Sequence, residues 1–390
     1  MNYNFSKKVS ELKPSVIREI LKFTGMPGII PFAAGNPAAE AFPTAAVEEI
    51  SAKILRERPI DALQYSITEG YPKLRETVRN LMKKQDSVKD FDDVIITSGA
   101  QQVMNLSTQA LCNEGDTIIC ESPSFIGSLN AFRSFNVKLR GVPLESDGMN
   151  LEELERALKE EPKARFIYVI ANFQNPSGVT TSLEKRKAIY ELAKRYKVLI
   201  VEDNPYGETR FEGEALPNIK SMDTDGIVIY AGSFSKVISP GLRVGYAIAP
   251  KEVIAKLTVC KQVSDVHTGI FGQLIVDSFV NDYDFDAHIA KIKEIYGRKS
   301  RLMMQALDTK CPALRYNKIQ GGLFIWCDLP SGINMLDFAK EAVEKSVAVV
   351  PGNAFLMSEN EPCNSIRLNF STPSDEQIVS GVDILSGLLS

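Results

Sequence analysis

The chain has 390 residues, 24% of which are charged, and its formal net charge is −4 at pH 7. The length is enough for two domains. The negative net charge does not favour binding to nucleic acid or to an anionic membrane. The six cysteines form no C-x-x-C pair and there are only two histidines, so we predict neither a disulfide scaffold nor a metal site and expect a reducing, cytoplasmic compartment. No apolar signal core opens the chain, and no apolar run is long enough to span a bilayer.

A short amphipathic helix is predicted near the N-terminus, over residues 16–22. Ser15 stands where it can cap the helix, and the apolar Ile17 and Ile20 recur on one face. Arg18 falls on the polar face. A solvated charge is the commoner outcome for such a residue, and a ligand contact is the alternative.

Two loops follow in which the chain could approach a ligand. Gly35 precedes Asn-Pro, a turn signal in which the backbone can come close to another group. Tyr65 stands ahead of Gly70, and Pro72 lies where a helix can begin. Taken alone these motifs indicate only loops, and Tyr65 is more readily a packing residue than a ligand.

From about residue 93 to residue 250, short apolar runs alternate with helical patterns. This alternation is typical of an α/β fold in which helices cover both faces of a mostly parallel sheet. Such a sheet places its ligand site in the crevice at the carboxyl ends of the strands. The runs predicted as strands are residues 94–97, 117–120, 166–170, 198–201, 227–230 and 244–249.

The first of these strands runs into a glycine turn that precedes a helix predicted from Val103. The N–H groups at a helix start and the positive end of its dipole suit a phosphate, and Ala100 and Gln101 stand there. The motif is not G-x-G-x-x-G, so no dinucleotide is indicated. After the next strand comes Phe125, whose ring either packs in the core or stacks on a flat ligand.

Three polar side chains, Asn175, Asp203 and Lys236, directly follow three further strands. A carboxylate after the apolar run 198–201 is costly to bury unpaired. Asp203 therefore needs a cation, a metal or a hydrogen-bond donor, unless it caps a helix or lies in a solvated turn. Lys236 follows the run 227–230, and partial burial lowers the pKa of a lysine and makes its amine a nucleophile towards carbonyls.

Two other interpretations of Lys236 stay open at this point. A single lysine is most often a solvated surface residue. The stretch Ser233-Phe-Ser-Lys236 also fits the S-x-x-K pattern of penicillin-binding hydrolases, with Ser233 as nucleophile, but their other two motifs should lie well apart. The nearest matches here, residues 264–266 and 267–269, almost adjoin. The polar residues at neighbouring strand ends favour a lysine that carries pyridoxal 5'-phosphate.

The C-terminal part predicts a second, smaller α+β unit. Long helical patterns run to about residue 308, and Arg367 lies inside one of the strand-like runs that follow. A strand arginine usually points to solvent, but an inward one needs an anion, and its guanidinium grips a carboxylate bidentately. The strand-like runs are residues 321–329, 347–350 and 365–370.

Together these motifs resemble those of the fold-type I pyridoxal-phosphate aminotransferases of class I/II, and most of all the kynurenine/2-aminoadipate aminotransferase subgroup. The resemblance implies an aspartate aminotransferase-like fold, with a mostly parallel, seven-stranded-type sheet in the large domain. It places an N-terminal arm and part of the small domain in residues 1–45, the large domain in 46–295 and the C-terminal small domain in 296–390. The motifs that carry it are Gly35-Asn-Pro37, Asn175-Pro-Ser-Gly178, Glu202-Asp-Asn-Pro-Tyr206, Ser233-Phe-Ser-Lys236 and Arg367, with subgroup similarity in residues 15–21 and 261–268.

For the cofactor ring, the resemblance implies roles for five residues. Lys236 would hold the aldehyde as an internal aldimine and then move the proton of the substrate Cα. Asp203 would pair with the ring nitrogen, while Asn175 and Tyr206 would bond the ring 3'-oxygen. Phe125 stands where the family often has a tyrosine. Its ring can still stack on the cofactor ring, but any polar contact that the tyrosine hydroxyl would make is lost.

For the substrate, the resemblance implies that Arg367 binds the α-carboxylate beside Asn175, with Gly35 in the same site. Arg18 would take the distal carboxylate of a dicarboxylic substrate. Tyr65 would reach the phosphate of a neighbouring subunit, which implies a homodimer. The residues implied at the phosphate are Ala100, Gln101, Ser233, Ser235 and Arg243, with Ala100 in place of a serine that the family often has.

The implied reaction moves the α-amino group of an L-amino acid to a 2-oxo acid, for which we expect 2-oxoglutarate, by ping-pong kinetics. Aromatic, branched-chain and 2-aminoadipate donors all stay open. The alternative is a β-lyase or decarboxylase on the same scaffold. A non-enzymatic regulator of this fold would need a DNA-binding domain ahead of residue 15, for which we expect no room.

Overall fold

A mixed eight-stranded sheet lies at the centre of the larger part of the protein. The computed structural model describes residues 3, 5–6, 28–358 and 360–389. The strands of the sheet are β1 (Asp92–Thr97), β2 (Thr117–Ser122), β3 (Lys138–Glu145), β4 (Gly148–Met149), β5 (Ala164–Val169), β6 (Leu199–Asn204), β7 (Val228–Ser233) and β8 (Gly245–Pro250). The strand order of the sheet is β1-β8-β7-β6-β5-β2-β3-β4, and the contacts from β7 through β6, β5 and β2 to β3 are parallel.

Twelve α-helices are found in the described residues, and Pro72 begins α3, as predicted. Among these helices, none combines the length and the apolar character that a membrane span requires. The helices are α1 (Thr44–Glu57), α2 (Pro59–Leu63), α3 (Pro72–Lys83), α4 (Ala100–Leu111), α5 (Ile126–Arg133), α6 (Leu151–Glu160), α7 (Leu183–Tyr196), α8 (Lys251–Gln262), α9 (Ile270–Asp282), α10 (Phe285–Lys310), α11 (Met335–Glu344) and α12 (Asp375–Ser386).

Both faces of the large sheet are buried, as the continuous apolar runs predict. On one face, Leu154 of α6 and Ile189 of α7 belong to the same apolar cluster as Ile167 of β5. On the other face, Phe132 of α5 packs edge-on against Phe166 of β5, with 5.6 Å between ring centroids. The prediction of a mostly parallel sheet covered on both sides is confirmed.

Strand β8 departs from the parallel order, because it runs antiparallel to both β1 and β7. The connection from β7 to β8 spans residues 234–244 and contains no helix. A parallel crossover needs a longer connection, usually through a helix, so the chain turns back instead. The two-residue strand β4 is the eighth strand, beyond the seven-stranded type that we predicted.

A second, four-stranded sheet has the order β11-β12-β10-β9, and all of its contacts are antiparallel. Its strands are β9 (Arg315–Tyr316), β10 (Phe324–Asp328), β11 (Val350–Pro351) and β12 (Ser365–Asn369). The run 347–350, predicted as a strand, enters this sheet only at Val350; Val347 pairs instead with Ile30 in an isolated parallel bridge. Helix α10 crosses position 295, where we placed the domain boundary, and that boundary stays a prediction.

The N-terminal stretch from residue 28 joins the small sheet, and its Gly35 carbonyl accepts a hydrogen bond from Lys236 in the turn after β7. Ala348 N–H donates to the Ile30 carbonyl at 3.0 Å, and Asn369 N–H donates to the Phe32 carbonyl at 2.8 Å. These bonds fix residues 33–35 beside β12, where they meet the side chain of Arg367.

Candidate active site

A cavity of about 600 Å³ opens where the carboxyl ends of β5, β6 and β7 meet the start of α4 and the small sheet. Its position agrees with the crevice expected at the strand ends of an α/β sheet. The predicted site residues that line it are Gly35, Ala100, Gln101, Phe125, Asn175, Asp203, Tyr206, Ser233, Ser235, Lys236, Arg243 and Arg367.

Asp203, near the end of β6, is a buried carboxyl group with no cationic partner among the described residues. It is 4% exposed, and its Oδ2 atom accepts a 2.8 Å hydrogen bond from the Tyr168 hydroxyl. Its Oδ1 atom is buried and has no hydrogen-bond partner in the described part of the chain. Burial raises the pKa of Asp203 to about 7, against the lowering effect of the Tyr168 hydrogen bond. A donor from a bound molecule would satisfy the free oxygen.

Lys236 lies in the turn after β7, and its Nζ atom donates to the Gly35 carbonyl at 2.7 Å. Burial lowers the pKa of this amine to about 8, and the positive charges of Arg367 and Arg243 act in the same direction. A larger fraction of the amine is therefore unprotonated near neutral pH than for a solvated lysine. This supports the sequence-based expectation that the lysine is nucleophilic.

One corner of the cavity is built for an anion. Helix α4 begins at Ala100, three residues before the predicted start, so Ala100 and Gln101 lie in its first turn. Gly99 has φ +79°, and a Cβ atom there would lie 2.3 Å from the Arg243 guanidinium. A Cβ atom on Gly245 would lie 2.8 Å from the Ala100 nitrogen. Glycine at these two positions therefore lets the Arg243 side chain and the start of β8 pack closely against the turn before α4. The N–H groups of the first helical turn and an arginine thus meet at one corner of the cavity.

Phe125 caps the cavity next to this corner. A Cβ atom on Gly127 would approach the Phe125 ring to 2.6 Å, so the ring keeps its place only over glycine. The Gln101 side chain donates to the Gly127 carbonyl at 2.9 Å. Because that side chain is already engaged, what Gln101 can offer a ligand is its backbone N–H group.

Arg367, on β12, points inward and is 3% exposed. Its Nη1 atom donates to Asn175 Oδ1 at 3.0 Å, and its Nη2 atom donates to the Ala33 carbonyl at 2.9 Å. The guanidinium carbon lies 4.2 Å from the ring centroid of Phe324 and 5.0 Å from that of Phe355. The Nε atom is buried without a partner among the described residues. Burial lowers the pKa of Arg367 to about 10, so it stays charged and available to a carboxylate.

One predicted residue, Tyr65, lies outside this cavity, and another, Arg18, has no described position. Tyr65 is 83% exposed and packs edge-on against the His267 ring, with 5.9 Å between centroids. Arg18 lies outside the described residues, as does the helix predicted over residues 16–22.

Residues that sequence reasoning missed also lie at the site. Ser128 and Phe324 line the cavity, and Tyr168 binds Asp203 from the strand beside it. The one signal for Tyr168 was a phenol inside the apolar run 166–170, since a buried tyrosine hydroxyl usually has a partner. Nothing in the sequence shows which partner it is.

Comparison with known proteins identifies the family. Residues 27–385 match the family Aminotransferase class I and II, and the chain belongs to that family. The chain is 39% identical to the aromatic-amino-acid aminotransferase 1 of Thermococcus litoralis, over 98% of this chain and 93% of that protein. A solved structure of Pyrococcus horikoshii kynurenine aminotransferase, in complex with PMP, KYN as substrates and KYA as products, matches with a TM-score of 0.95 at 36% identity, covering 99% of this chain and 96% of that one.

A third match bears on the cofactor. The α-aminoadipate aminotransferase of Thermus thermophilus, complexed with N-(5'-phosphopyridoxyl)-L-leucine, has a TM-score of 0.91 at 36% identity, covering 99% of this chain and 97% of that one. The protein is a pyridoxal-phosphate-dependent aminotransferase with an aspartate aminotransferase-like fold, as predicted. The alternative of a β-lyase or decarboxylase is not favoured, because these relatives are aminotransferases.

The residues present fit this cofactor. Among the described residues, Asp203 has one unpaired oxygen that a ring nitrogen could meet, and the first turn of α4 and Arg243 border the cavity where a phosphate would be held. When bound, pyridoxal 5'-phosphate supplies an electron sink for the substrate Cα, provided that its ring nitrogen stays protonated.

The lowered pKa of Lys236 gives a testable pH dependence. Protonated amine is unreactive, so covalent uptake of pyridoxal 5'-phosphate by the cofactor-free protein should speed up as pH rises to about 8 and level off above it. Stopped-flow absorbance measures the rate. Free Nα-acetyl-lysine, with an ordinary pKa of about 10.4, is the control and should keep accelerating to higher pH.

Borohydride reduction followed by peptide mapping locates the attachment. The label should fall on the peptide that contains Lys236 and disappear in Lys236→Arg. A wild-type rate that climbs in parallel with the free lysine would show that burial does not activate the amine.

Proposed function

We propose that this aminotransferase moves the α-amino group of an L-amino acid to 2-oxoglutarate in two half-reactions at one site, with ping-pong kinetics. The observation that carries this proposal is a cavity that holds a lowered-pKa lysine, Lys236, together with an inward-facing arginine, Arg367. An α-carboxylate on Arg367 would present the substrate Cα to the Lys236 amine. A base held close to the proton that it removes gains greatly in effective concentration.

The proposed roles of the other residues follow from their contacts. Asp203 would keep the ring nitrogen of the bound cofactor protonated. Asn175, whose side chain donates to the Tyr206 hydroxyl at 3.4 Å, would bond the ring 3'-oxygen together with Tyr206. Phe125 would pack on the ring, and Gly35 would border the substrate. The residues that would hold the phosphate are Ala100, Gln101, Ser233, Ser235 and Arg243.

The lining of the cavity favours a broad substrate range. Phe125, Ile126 and Phe324 give it an apolar wall suited to aromatic or branched side chains. Lys236, Arg243 and Arg367 are its cations among the described residues. All three are assigned to the cofactor or the α-carboxylate, so a distal carboxylate needs a further cation. Arg18 is our candidate, in line with the named aminoadipate and kynurenine aminotransferases among the relatives.

A substrate panel tests this proposal. We expect aromatic, branched-chain and 2-aminoadipate donors each to convert the absorbance of the bound cofactor, and 2-oxoglutarate to reverse it with formation of glutamate. Double-reciprocal plots should be parallel, as ping-pong kinetics require. Glutamate formation without parallel plots would contradict the two half-reactions, and pyruvate with ammonia as the products would contradict the transfer itself.

The role of Arg18 has its own test. In Arg18→Ala, KM for 2-aminoadipate and glutamate should rise about tenfold or more, because a charge-assisted hydrogen bond contributes about 1.5–3 kcal/mol. KM for phenylalanine and leucine should change little. Lys8→Ala, which removes another cation of the N-terminal arm, is the control. Equal effects on both substrate classes would reject the assignment.

We also propose a homodimer in which Tyr65 reaches the phosphate site of the partner. Tyr65 belongs to an exposed apolar group, and exposed apolar patches of this kind mark interfaces. The Ser66 N–H group lies 3.3 Å from His267 Nε2, which joins two parts of the group. Its members are Ile60, Leu63, Tyr65, Ile67, Val259, Val263 and Val266, all at least 48% exposed.

Mixed dimers test this sharing of sites. Tyr65→Ala and Lys236→Ala should each be weakly active or inactive alone. Refolded together in equal amounts, they should regain about a quarter of the wild-type activity, because half of the dimers then contain one intact site out of two. No recovery, with mixed dimers demonstrated by mass spectrometry, would show that Tyr65 serves its own subunit or neither.

A further inference from the structure

A chain of two buried hydroxyl groups, those of Ser128 and Tyr168, leads to the carboxylate of Asp203 at the edge of the cofactor cavity. The Tyr168 hydroxyl, on β5, lies 2.8 Å from Asp203 Oδ2 and 2.9 Å from Ser128 Oγ, on α5. Tyr168 is 0% exposed, Ser128 1% and Asp203 4%, so bulk water does not compete for these bonds.

The direction of the two hydrogen bonds is fixed by the donors available. An ionised carboxylate can only accept, and a phenol has a single hydrogen. When Asp203 is ionised, Tyr168 donates its single hydrogen to the carboxylate, and the Ser128 hydroxyl is then the donor to the Tyr168 oxygen. The serine polarises the phenol and strengthens its bond to the carboxylate, because neighbouring hydrogen bonds reinforce one another in a low-dielectric interior.

Sheet register and packing hold the phenol in this position. In the parallel pair β5–β6, Tyr168 stands opposite Val201, so Asp203 lies two residues further along on the same face. The Phe132 ring packs edge-on against Tyr168, with 5.2 Å between ring centroids. The hydroxyl is thus placed by a strand and a rigid aromatic contact, not by a loop.

The two oxygens of Asp203 have different surroundings. Oδ2 is engaged by Tyr168, and Oδ1 is left without a partner among the described residues. Asp203 borders the cavity, so the free oxygen is the one that a ring nitrogen can meet. If Tyr168 did not occupy Oδ2, the carboxyl group could rotate or take up a proton.

Apart from Tyr168, the charged and titratable groups around Asp203 do little to stabilise its ionised form. Burial raises the pKa of Glu121, from β2, to about 8, and the charge of Asp203 adds to this shift. Burial also raises the pKa of Tyr206, although the charge of Arg367 lowers it. Lys236 and Arg367 border the same cavity, but neither makes a hydrogen bond to Asp203 in the described structure. Tyr168 is the direct donor that favours the ionised carboxyl group.

We propose that Ser128 and Tyr168 are positioning residues that keep Asp203 ionised and direct its free oxygen at the ring nitrogen of the bound cofactor. They therefore set both the affinity for pyridoxal 5'-phosphate and the protonation of the ring nitrogen. This rests on the cofactor of the family and not on the substrate range or the dimer proposed above.

The test compares Tyr168→Phe with wild type by two measurements that need no turnover. The Kd of pyridoxal 5'-phosphate, from absorbance titration, should rise about tenfold, the effect of losing a hydrogen bond to a charged group. The 15N shift of ring-labelled bound cofactor should move from the protonated towards the unprotonated value near pH 7.5. Ser128→Ala should move the 15N shift in the same direction and raise the Kd about two- to threefold, since the Tyr168–Asp203 hydrogen bond remains.

Tyr190→Phe is the matched control. Tyr190 is also a buried tyrosine, 4% exposed, and its hydroxyl donates to a carboxylate, Asp225 Oδ2, at 2.6 Å. This variant should lower the melting temperature without changing Kd or the 15N shift.

The outcomes separate positioning from stability. A Tyr168→Phe protein with a lowered melting temperature but wild-type Kd and 15N shift would overturn the proposal. If Tyr168→Phe does not fold, Ser128→Ala decides, and an unchanged Kd and 15N shift in that variant overturns it equally. A wild-type protein that fails to bind the cofactor would instead contradict the assigned cofactor.

Discussion

A carboxylate that is buried without a cationic partner among the described residues is the constraint on which the rest of this site depends. Removing a carboxylate from water costs several kcal/mol unless it is paired and hydrogen-bonded. Asp203 has one donor, the Tyr168 hydroxyl, and one free oxygen in the described structure. This group is incompletely satisfied among the described residues, and in our proposal a protonated ring nitrogen of the cofactor completes it. On that proposal, the affinity for the cofactor and the chemistry of its ring have the same physical origin.

The charges that line the cavity complement the ligands in the same way. Among its described lining residues, Lys236, Arg243 and Arg367 are cations and Asp203 is the acid. We propose that a phosphate and a substrate carboxylate supply the missing negative charge. Carbonyl oxygens and two aromatic rings hold the Arg367 guanidinium, while its Nε atom has no partner among the described residues. The aromatic faces attract the cation without neutralising it.

The return of the chain at β8 brings two of these cations together. Because the connection 234–244 is too short for a crossover helix, it stays at the carboxyl end of β7 and carries both Lys236 and Arg243. The antiparallel entry of β8 then sets Gly245 against the start of α4, where a side chain would collide with the backbone.

Much of this site could be predicted from the sequence. Apolar runs ending in Asn175, Asp203 and Lys236 predicted buried strands with polar ends, and the parallel sheet gathers those ends in one cavity. An apolar run indicates that a segment is buried. It does not indicate the direction of that strand in the sheet or the strand with which it pairs. Only the tertiary structure therefore decided that β8 runs antiparallel, that Arg367 points inward and that Tyr168 and Ser128 support Asp203. Each of these depends on contacts between segments far apart in the chain, and a local pattern carries no information about such contacts.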